Sequence, residues 1–107
     1  MPDISIVLPC YNAENTVEET LDSLARQTLD DFEVIAVDDG SEDSTLRILE
    51  TWASEDSRFQ VLACPHAGVI AAANAGIAAC RAPYIARMDA DDRAHPQRFE
   101  KQVTYLE

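Results

Sequence analysis

The chain has 107 residues, which is enough for one small domain with a hydrophobic core. Its composition is that of a folded protein, because 47% of the residues are hydrophobic and there are only 3 Gly and 5 Pro. With 8 basic and 20 acidic side chains the net charge is -12, which disfavours binding to nucleic acid or to an anionic membrane surface. A ligand that carries phosphate therefore needs a cation to hold it here.

Targeting signals and cysteines give no sign of export. The first four residues lack the basic and apolar regions of a secretory signal, and the longest weakly apolar stretch, residues 67–80, is too short to span a bilayer. Cys10, Cys64 and Cys80 are odd in number and far apart, which favours small buried thiols over a disulfide framework or a zinc site. We expect a cytoplasmic protein without a membrane segment.

In the first half of the chain, two predicted strands are each followed by a helix. The β-branched apolar run at residues 4–8 is closed by Pro9 and indicates a buried strand. Apolar residues then recur at helical spacing up to Gln27. A second apolar run at residues 33–37 is stopped by turn-forming residues, and another helical pattern begins at about Ser44.

The second half of the chain repeats this alternation. A short third strand is predicted at residues 60–63, before an Ala-rich segment of high helix propensity at residues 69–81. A fourth strand is predicted at residues 84–88, and Pro96 marks the first turn of a last helix that runs to Leu106.

This order of elements predicts the fold class. Strands that alternate with crossover helices pair in parallel, through right-handed connections. We therefore predict an α/β protein, a three-layer α/β/α sandwich around a mainly parallel sheet. The composition shows no internal boundary or linker, so residues 1–107 are expected to form a single domain.

Acidic residues follow two of the predicted strands. Asp38 and Asp39 come after the second strand, and Asp89, Asp91 and Asp92 come after the fourth. Ligands bind beyond the carboxyl ends of the strands in open parallel sheets, so both groups are expected at the binding edge. Crowded carboxylates repel one another, and a hard divalent cation among them offsets that cost. Oxygen ligands favour Mg²⁺ or Mn²⁺, and such an ion keeps phosphate oxygens in its shell.

Both acidic groups also have a simpler explanation. A bare D-x-D triplet is often a solvated turn and helix cap, and Asp39 beside Asp38 is typical of a turn. In a binding site, Asp39 is a candidate acceptor for the ring N–H of a pyrimidine base, in a pocket walled by Tyr11. His66 and His95 have no evident partner for nucleophilic chemistry, and we expect them to have packing or surface roles.

Four segments taken together resemble the family 2 glycosyltransferases of the GT-A fold. They are PCYN at residues 9–12, QTLDDFEVIAVDDGS at 27–41, NAG at 74–76 and YIARMDADD at 84–92, in the order and spacing of that family. The resemblance covers nearly the whole chain. Each motif alone is weak, and the set is specific.

The resemblance implies an inverting, metal-dependent glycosyltransferase that transfers a sugar from a nucleoside diphosphate, UDP by our expectation, to an acceptor hydroxyl. The nucleotide-sugar site it implies consists of Pro9, Tyr11, Glu14, Asp39 and Asp89, and the metal site of Asp91 and Asp89. In this scheme Asp39 reads the edge of the base, Asp89 approaches the ribose and the donor, and Asp91 binds the Mn²⁺ or Mg²⁺ that bridges the diphosphate. Glu14 is a weaker neighbour of the pocket, and Asp92 is a secondary group.

Two departures from the family pattern limit what the resemblance implies. Ala73 stands where many members carry a basic residue that contacts the diphosphate. The general base that deprotonates the acceptor lies well beyond the D-x-D in this family, so we expect it beyond Glu107. The chain is accordingly expected to be truncated before the acceptor-binding half. The sugar, the acceptor (a saccharide, a lipid or another hydroxyl compound) and the oligomeric state are not predicted.

Other classes of protein fit less well. A phosphoacceptor receiver domain carries paired acids after its first strand, where this chain has Pro9 to Asn12. A nuclease domain with a D-x-D needs a glutamate at that position and a less acidic surface. The alternative that stays open is a catalytically inactive nucleotide-sugar-binding module, or a fragment that lacks the general base.

Overall fold

A computed structural model describes residues 2–29 and 31–101. The strands are β1 (Ile4–Cys10), β2 (Phe32–Asp39), β3 (Phe59–Cys64) and β4 (Tyr84–Arg87), and the helices are α1 (Val17–Ala25), α2 (Thr45–Glu55) and α3 (Val69–Ala78). The four predicted strands and the first three predicted helices are all present, with ends shifted by a few residues. The predicted last helix begins two residues later than expected, since residues 96–97 form a turn and residues 98–101 are helical; its continuation from residue 102 lies outside the described residues.

The sheet is parallel throughout, with the strand order β3-β2-β1-β4. Ile4 of β1 lies opposite Phe32 of β2 on one side and opposite Tyr84 of β4 on the other. Each of the three crossovers contains a helix that returns the chain to the same end of the sheet, so all strands point the same way and their carboxyl ends share one edge. The predicted α/β fold with a parallel sheet is thus confirmed.

The helices cover both faces of this sheet. On one face, the apolar side chains of α1 pack with Ile4, Ile6 and Leu8 of β1 in the larger part of the core. On the other face, Ile35 and Val37 of β2 pack with α3 in a smaller cluster. Side chains alternate between the faces of a strand, so neighbouring apolar residues of β1 and β2 serve both layers. None of the described helices has the length and apolar character that crossing a membrane requires.

Two strands extend further than the sequence indicates. β1 continues past Pro9 to Cys10. Val7 is the last β1 residue that has a partner on β4, so Pro9 pairs with β2 alone, and a strand tolerates proline where one side is unpaired. β2 continues through Asp38 and Asp39. Asp38 pairs with Cys10 of β1, and Asp39 pairs with Cys64 of β3. The prediction that these two aspartates end the strand in a turn was wrong, because pairing with neighbouring strands outweighs their preference for turns.

A buried carboxylate ties the other edge of the sheet together. Glu33 is 2% exposed and accepts hydrogen bonds from the Ser5 hydroxyl, the Arg81 backbone N–H at 2.8 Å and the Arg81 Nε at 3.0 Å. Burial acts to raise the pKa of the Glu33 carboxyl, but these hydrogen bonds outweigh it and hold that pKa below its usual value. The contacts connect β1 and β2 to the segment between α3 and β4.

Candidate functional site

The loops after β1 and β2 are joined by hydrogen bonds at the carboxyl edge of the sheet. The Asn12 N–H donates to the Ser41 hydroxyl at 2.9 Å, and the Asn12 side-chain oxygen accepts the Glu42 N–H at 2.8 Å. Asn12 has φ of 46°, in the left-handed region that Asn tolerates better than most residues. Asn12 is therefore the main connection between these two loops.

Glu14 belongs to the same seam between the loops. Its carboxylate accepts the Ser44 N–H at 3.0 Å, and its own N–H donates to Asp43 at 3.2 Å. Glu14 is not among the residues that line the two pockets described next. These contacts hold Glu14 at the start of α2, and the weaker pocket role that the sequence resemblance implied stays a prediction.

A small apolar pocket of about 160 Å³, here called the inner pocket, opens between β1 and α3. Its lining residues are Pro9, Cys10, Tyr11, Asp39, His66, Gly68, Val69 and Ala72. The rings of Tyr11 and His66 are stacked on each other, with their centroids 4.3 Å apart and their planes at 22°. The inner pocket thus brings together an aromatic wall and one carboxylate, and it includes Tyr11 and Asp39, two of the residues predicted for the nucleotide site.

Asp39 is the charged group of the inner pocket. It is only 3% exposed, and its carboxylate accepts the N–H groups of Ala67 at 2.9 Å and Gly68 at 3.1 Å and a hydrogen bond from His66 Nδ1 at 3.0 Å. The Ala67 hydrogen bond is the main cause that lowers the pKa of Asp39, and the contacts with Gly68 and His66 act in the same direction against burial. Asp39 is therefore an ionised acceptor at neutral pH.

Gly40 fixes where the loop after β3 passes. Its φ is +69°, a conformation that side chains other than Gly rarely adopt, and a Cβ at this position would lie 2.6 Å from the backbone nitrogen of His66. The chain at His66 therefore lies directly against Gly40. Sequence reasoning gave His66 only a packing or surface role and did not bring it into the site, although its place just after β3 was a usable signal.

A second and larger cavity of about 380 Å³, here called the outer cleft, also has Tyr11 in its wall. Its lining residues are Pro9, Tyr11, Asn12, Ala13, Thr16, Ala90 and Asp91. The outer cleft shares Pro9 and Tyr11 with the inner pocket. Tyr11, which is 45% exposed, therefore separates a pocket that contains Asp39 from a cleft that contains Asp91.

The residues at 89–92, here called the acidic loop, bring three carboxylates together. One oxygen from each of Asp89, Asp91 and Asp92 lies within 4.8 Å of the others, and all three residues are exposed. Asp92 also accepts the Asp89 N–H at 3.3 Å, and Asp89 has Arg87 as a neighbour at 3.7 Å. This all-oxygen donor set suits a hard divalent cation such as Mg²⁺ or Mn²⁺. Asp92, predicted as a secondary group, lies as close as the other two.

Two threonines of the first helical segment hold the acidic loop. The Thr16 hydroxyl donates to the carbonyl oxygen of Ala90 at 3.0 Å. The Thr20 hydroxyl lies 2.6 Å from the carbonyl oxygen of Asp92 and 2.9 Å from that of Ala90. Sequence reasoning missed both residues. Their spacing of four places them on one helix face, but only the packing of α1 shows which loop that face meets.

Cys10 contributes a neutral thiol to the inner pocket. Burial, with the negative charge of nearby Asp38, raises the pKa of Cys10 to about 12, so the thiol stays protonated and is not a nucleophile. Within the part of the chain that the structure describes, the buried Oδ1 of Asp38 has no hydrogen-bond partner, while its Oδ2 accepts the Ser41 N–H at 3.2 Å. Cys10 is buried as predicted, whereas Cys64 and Cys80 are half-buried, and all three are free.

Comparison with known proteins assigns this arrangement to a family. The model of the family described as "Glycosyl transferase family 2" matches residues 5–107. The chain belongs to glycosyl transferase family 2. This family 2 chain is 42% identical over 101 residues to the uncharacterized glycosyltransferase EpsJ of Bacillus subtilis, covering 94% of the chain and 29% of EpsJ. It is 33% identical over 100 residues to the chondroitin synthase of Pasteurella multocida, covering 94% of the chain and 10% of that enzyme.

A solved structure has the same fold as this family 2 chain. The crystal structure of S. aureus TarS 1-349 in complex with UDP-GlcNAc matches with a TM-score of 0.89 and 27% sequence identity, over 99% of this chain and 31% of that chain. The predicted family and the predicted fold are both confirmed by these matches. The family 2 chain spans less than a third of EpsJ and of the TarS structure.

Proposed function

We propose that this chain is the donor-binding part of an inverting glycosyltransferase, which binds a UDP-sugar together with Mn²⁺ or Mg²⁺. The observation that carries the proposal is the position of Tyr11 between the inner pocket, with its ionised Asp39, and the outer cleft, with Asp91. A nucleoside diphosphate has the same order of parts, a flat base at one end and charged phosphates at the other. The match to a protein solved with UDP-GlcNAc supports this assignment.

In this proposal the base binds in the inner pocket. Uracil has a ring N–H, and the carboxylate of Asp39 is an acceptor that can receive it. The Tyr11 ring gives a flat surface for stacking, and Pro9 closes the pocket beside it. Asp39 keeps the Ala67 and Gly68 N–H groups as donors, but a base that presents a ring acceptor to it in this position is disfavoured, because two acceptors repel each other.

The diphosphate binds along the outer cleft, next to the acidic loop. Asp91 lines the cleft and belongs to the carboxylate cluster, so we propose it as the main metal ligand. Asp89 lies nearer the ribose and the donor sugar, as a second ligand, and Asp92 supports the loop. With a net charge of -12, the protein repels a diphosphate unless a cation lies between them. A bound divalent cation neutralises the charge that develops on the leaving diphosphate.

We propose no residue of this chain for the binding or deprotonation of the acceptor. An inverting transfer needs a base to take the proton of the acceptor hydroxyl, and we place that base beyond Glu107, in an acceptor-binding half. Residues 1–107 are proposed as one donor-binding domain. The acceptor is a hydroxyl compound, such as a saccharide or a lipid.

Calorimetric titration with UDP tests the proposal, in Mn²⁺ and in chelator. We expect Mn²⁺ to strengthen UDP binding to the wild-type protein, and Asp91→Asn to lower the affinity in Mn²⁺ to about the value in chelator, because the formal charge of the ligand is lost. Asp92→Asn should have a smaller effect. Asp22→Asn, an equal change of charge on the exposed face of α1, is the matched control.

Two outcomes of this titration, and a third that adds an assay with UDP-sugars, are distinct. A full Mn²⁺-dependent gain in the Asp91→Asn protein contradicts the proposed metal site. No binding of UDP under any condition contradicts the proposed function itself. UDP binding in a protein that neither transfers nor hydrolyses UDP-sugars supports the alternative of an inactive nucleotide-sugar-binding module.

A further inference from the structure

The His66 ring lies where a base would have to bind. A base that both stacks on Tyr11 and donates to Asp39 must enter the inner pocket, which these residues line together. The imidazole of His66 already covers that face of the Tyr11 ring, at 4.3 Å between centroids. Two rings in stacking contact leave no space for a third ring between them. Tyr11 and Asp39 are therefore not both available while His66 keeps this position.

The imidazole also makes the hydrogen bond that a base would make. His66 Nδ1 lies 3.0 Å from Oδ2 of Asp39 and 3.1 Å from the backbone oxygen of the same residue. Both of these atoms are acceptors, so Nδ1 carries the hydrogen and donates it. A flat ring that stacks on Tyr11 and donates a ring N–H to Asp39 reproduces the two contacts proposed above for uracil.

We propose that the His66 side chain is a built-in substitute for the nucleobase, which closes the inner pocket and swings out when the base of a uridine nucleotide enters. The inference rests on the proposed function, since it assumes that a base binds between Tyr11 and Asp39. It adds a residue to that site, one whose ring competes with the ligand.

Backbone contacts, and not the imidazole ring, hold the loop that carries His66. The N–H groups of Ala67 and Gly68 donate to Asp39, and the backbone of His66 lies against Gly40. The His66 side chain is 55% exposed, so rotation about its side-chain bonds moves the ring into solvent while the backbone stays in place. The exchange therefore costs one stacking contact and one hydrogen bond, and no refolding of the loop.

This cost has a characteristic signature in binding. Every uridine nucleotide displaces the same ring, so the loss of affinity is the same factor for UMP and for UDP. His66 is not among the residues that line the outer cleft, so we expect the factor to be the same in Mn²⁺ and in chelator. The signature differs from that of Asp91, whose effect depends on the metal.

NMR of the histidine side chains reports the exchange directly. The chain has 2 His, and His95, whose Nδ1 accepts the Gln97 N–H at 3.2 Å, serves as the reference in the same molecule. In the free protein we expect ring-current shifts on the His66 signals from the Tyr11 ring. Titration with UMP should move the His66 signals to the positions of an exposed imidazole and leave those of His95 in place. His66 signals that keep their shifts at saturating UMP would overturn the proposal.

Calorimetry on three variants completes the test. His66→Ala removes the competing ring, and we expect it to strengthen binding of UMP and UDP alike by about 3- to 10-fold, in Mn²⁺ and in chelator. His66→Phe keeps a stacking ring without the N–H donor and should lie between wild type and His66→Ala. His95→Ala should bind like wild type.

The outcomes separate this inference from the proposed function. Weaker UMP binding in His66→Ala would show that the imidazole is a ligand of the base. It would overturn the proposal that the His66 ring takes the place of the base. Measurable UMP binding that His66→Ala leaves unchanged would overturn it as well, with the proposed function intact. No binding of UMP or UDP to any of these proteins contradicts both.

Discussion

The hydroxyl of Thr20 lies 2.6 Å from the carbonyl oxygen of Asp92, although 72 positions separate the two residues in sequence. Thr20 is 1% exposed, and Leu21 and Leu24 of the same helix are fully buried in the core. Packing thus fixes the position of α1, and the hydrogen bond of the Thr20 hydroxyl holds the acidic loop against this helix. Thr20 acts as a positioning residue for the carboxylates proposed to bind the metal.

Replacement of Thr20 by Val should loosen the acidic loop. The carbonyl oxygen of Asp92 loses its hydroxyl donor, while that of Ala90 keeps the Thr16 hydroxyl, so we expect the free energy of unfolding to fall by about 1 kcal/mol. A displaced carboxylate set should weaken UDP binding in Mn²⁺ by about 2- to 5-fold and leave binding in chelator unchanged. Calorimetry in both buffers measures this difference. Thr51→Val, at an exposed threonine of α2, is the control, and an equal loss in the two buffers would contradict the positioning role.

Base selection should depend on Asp39. Asp39→Ala removes the acceptor for the ring N–H of uracil and the acceptor for the loop N–H groups, so UDP affinity should fall by about 10-fold or more. ADP has no ring N–H to donate and should bind the wild-type protein more weakly, with little further loss in the variant. Titrations of UDP and ADP measure this, and equal affinities of the wild-type protein for the two nucleotides would contradict base reading by Asp39.

Stability should fall in acid partly through Glu33. Burial acts to raise the pKa of Glu33, but the hydrogen bonds from Ser5 and Arg81 hold it below the usual value. The folded protein therefore binds this proton less readily than the unfolded chain. The resulting stabilisation is complete above the ordinary Glu pKa of about 4.3 and is lost as the pH falls through the lower folded value.

Urea unfolding at a series of pH values tests this account of Glu33. We expect Glu33→Gln to be less stable than wild type at pH about 7 and to lose less stability than wild type between about pH 5 and 3. The pKa values of Asp39, Asp43 and Asp56 are also lowered, so the variant should remove only part of the dependence of the unfolding free energy on pH. Glu50→Gln, an exposed site, controls for the change in net charge. If Glu33→Gln lost as much unfolding free energy as wild type over this pH range, Glu33 would not contribute to the loss of stability in acid.

Gly76 should not tolerate a side chain. A Cβ there would lie 2.6 Å from a methyl group of Val7 and 3.1 Å from one of Val37, because α3 lies directly on the sheet. We expect Gly76→Ala to lower the free energy of unfolding by about 1–3 kcal/mol, although Ala is the better helix former by about 1 kcal/mol. Thermal or urea unfolding measures the change. Ala71→Gly, at an exposed site of α3, should lose about 1 kcal/mol, and a stabilised Gly76→Ala protein would refute the close packing.

Much of the fold followed from patterns that are local in the chain. Apolar runs such as residues 4–8 and residues 33–37, separated by helical periodicity, indicate strands joined by crossover helices. Each such helix returns the chain to the same end of the sheet, so successive strands are parallel. Parallel strands end at one edge, so the meeting of the segments after β1, β2 and β4 was predictable. The motifs shared with family 2 gave candidate residues at that edge.

The tertiary structure decided what each of those residues does at the edge. Asp39 could be a turn residue or a pocket carboxylate by sequence, and its pairing with Cys64 and its contacts with Ala67 and His66 make it the latter. The hydrogen bond that Glu14 accepts from the Ser44 N–H was likewise not predictable from its motif. These contacts join residues about 25 to 30 positions apart, and the Thr20 contact joins residues more than twice as far apart. Local preferences do not specify such pairs, because their free energy appears only when the sheet and its helices have packed.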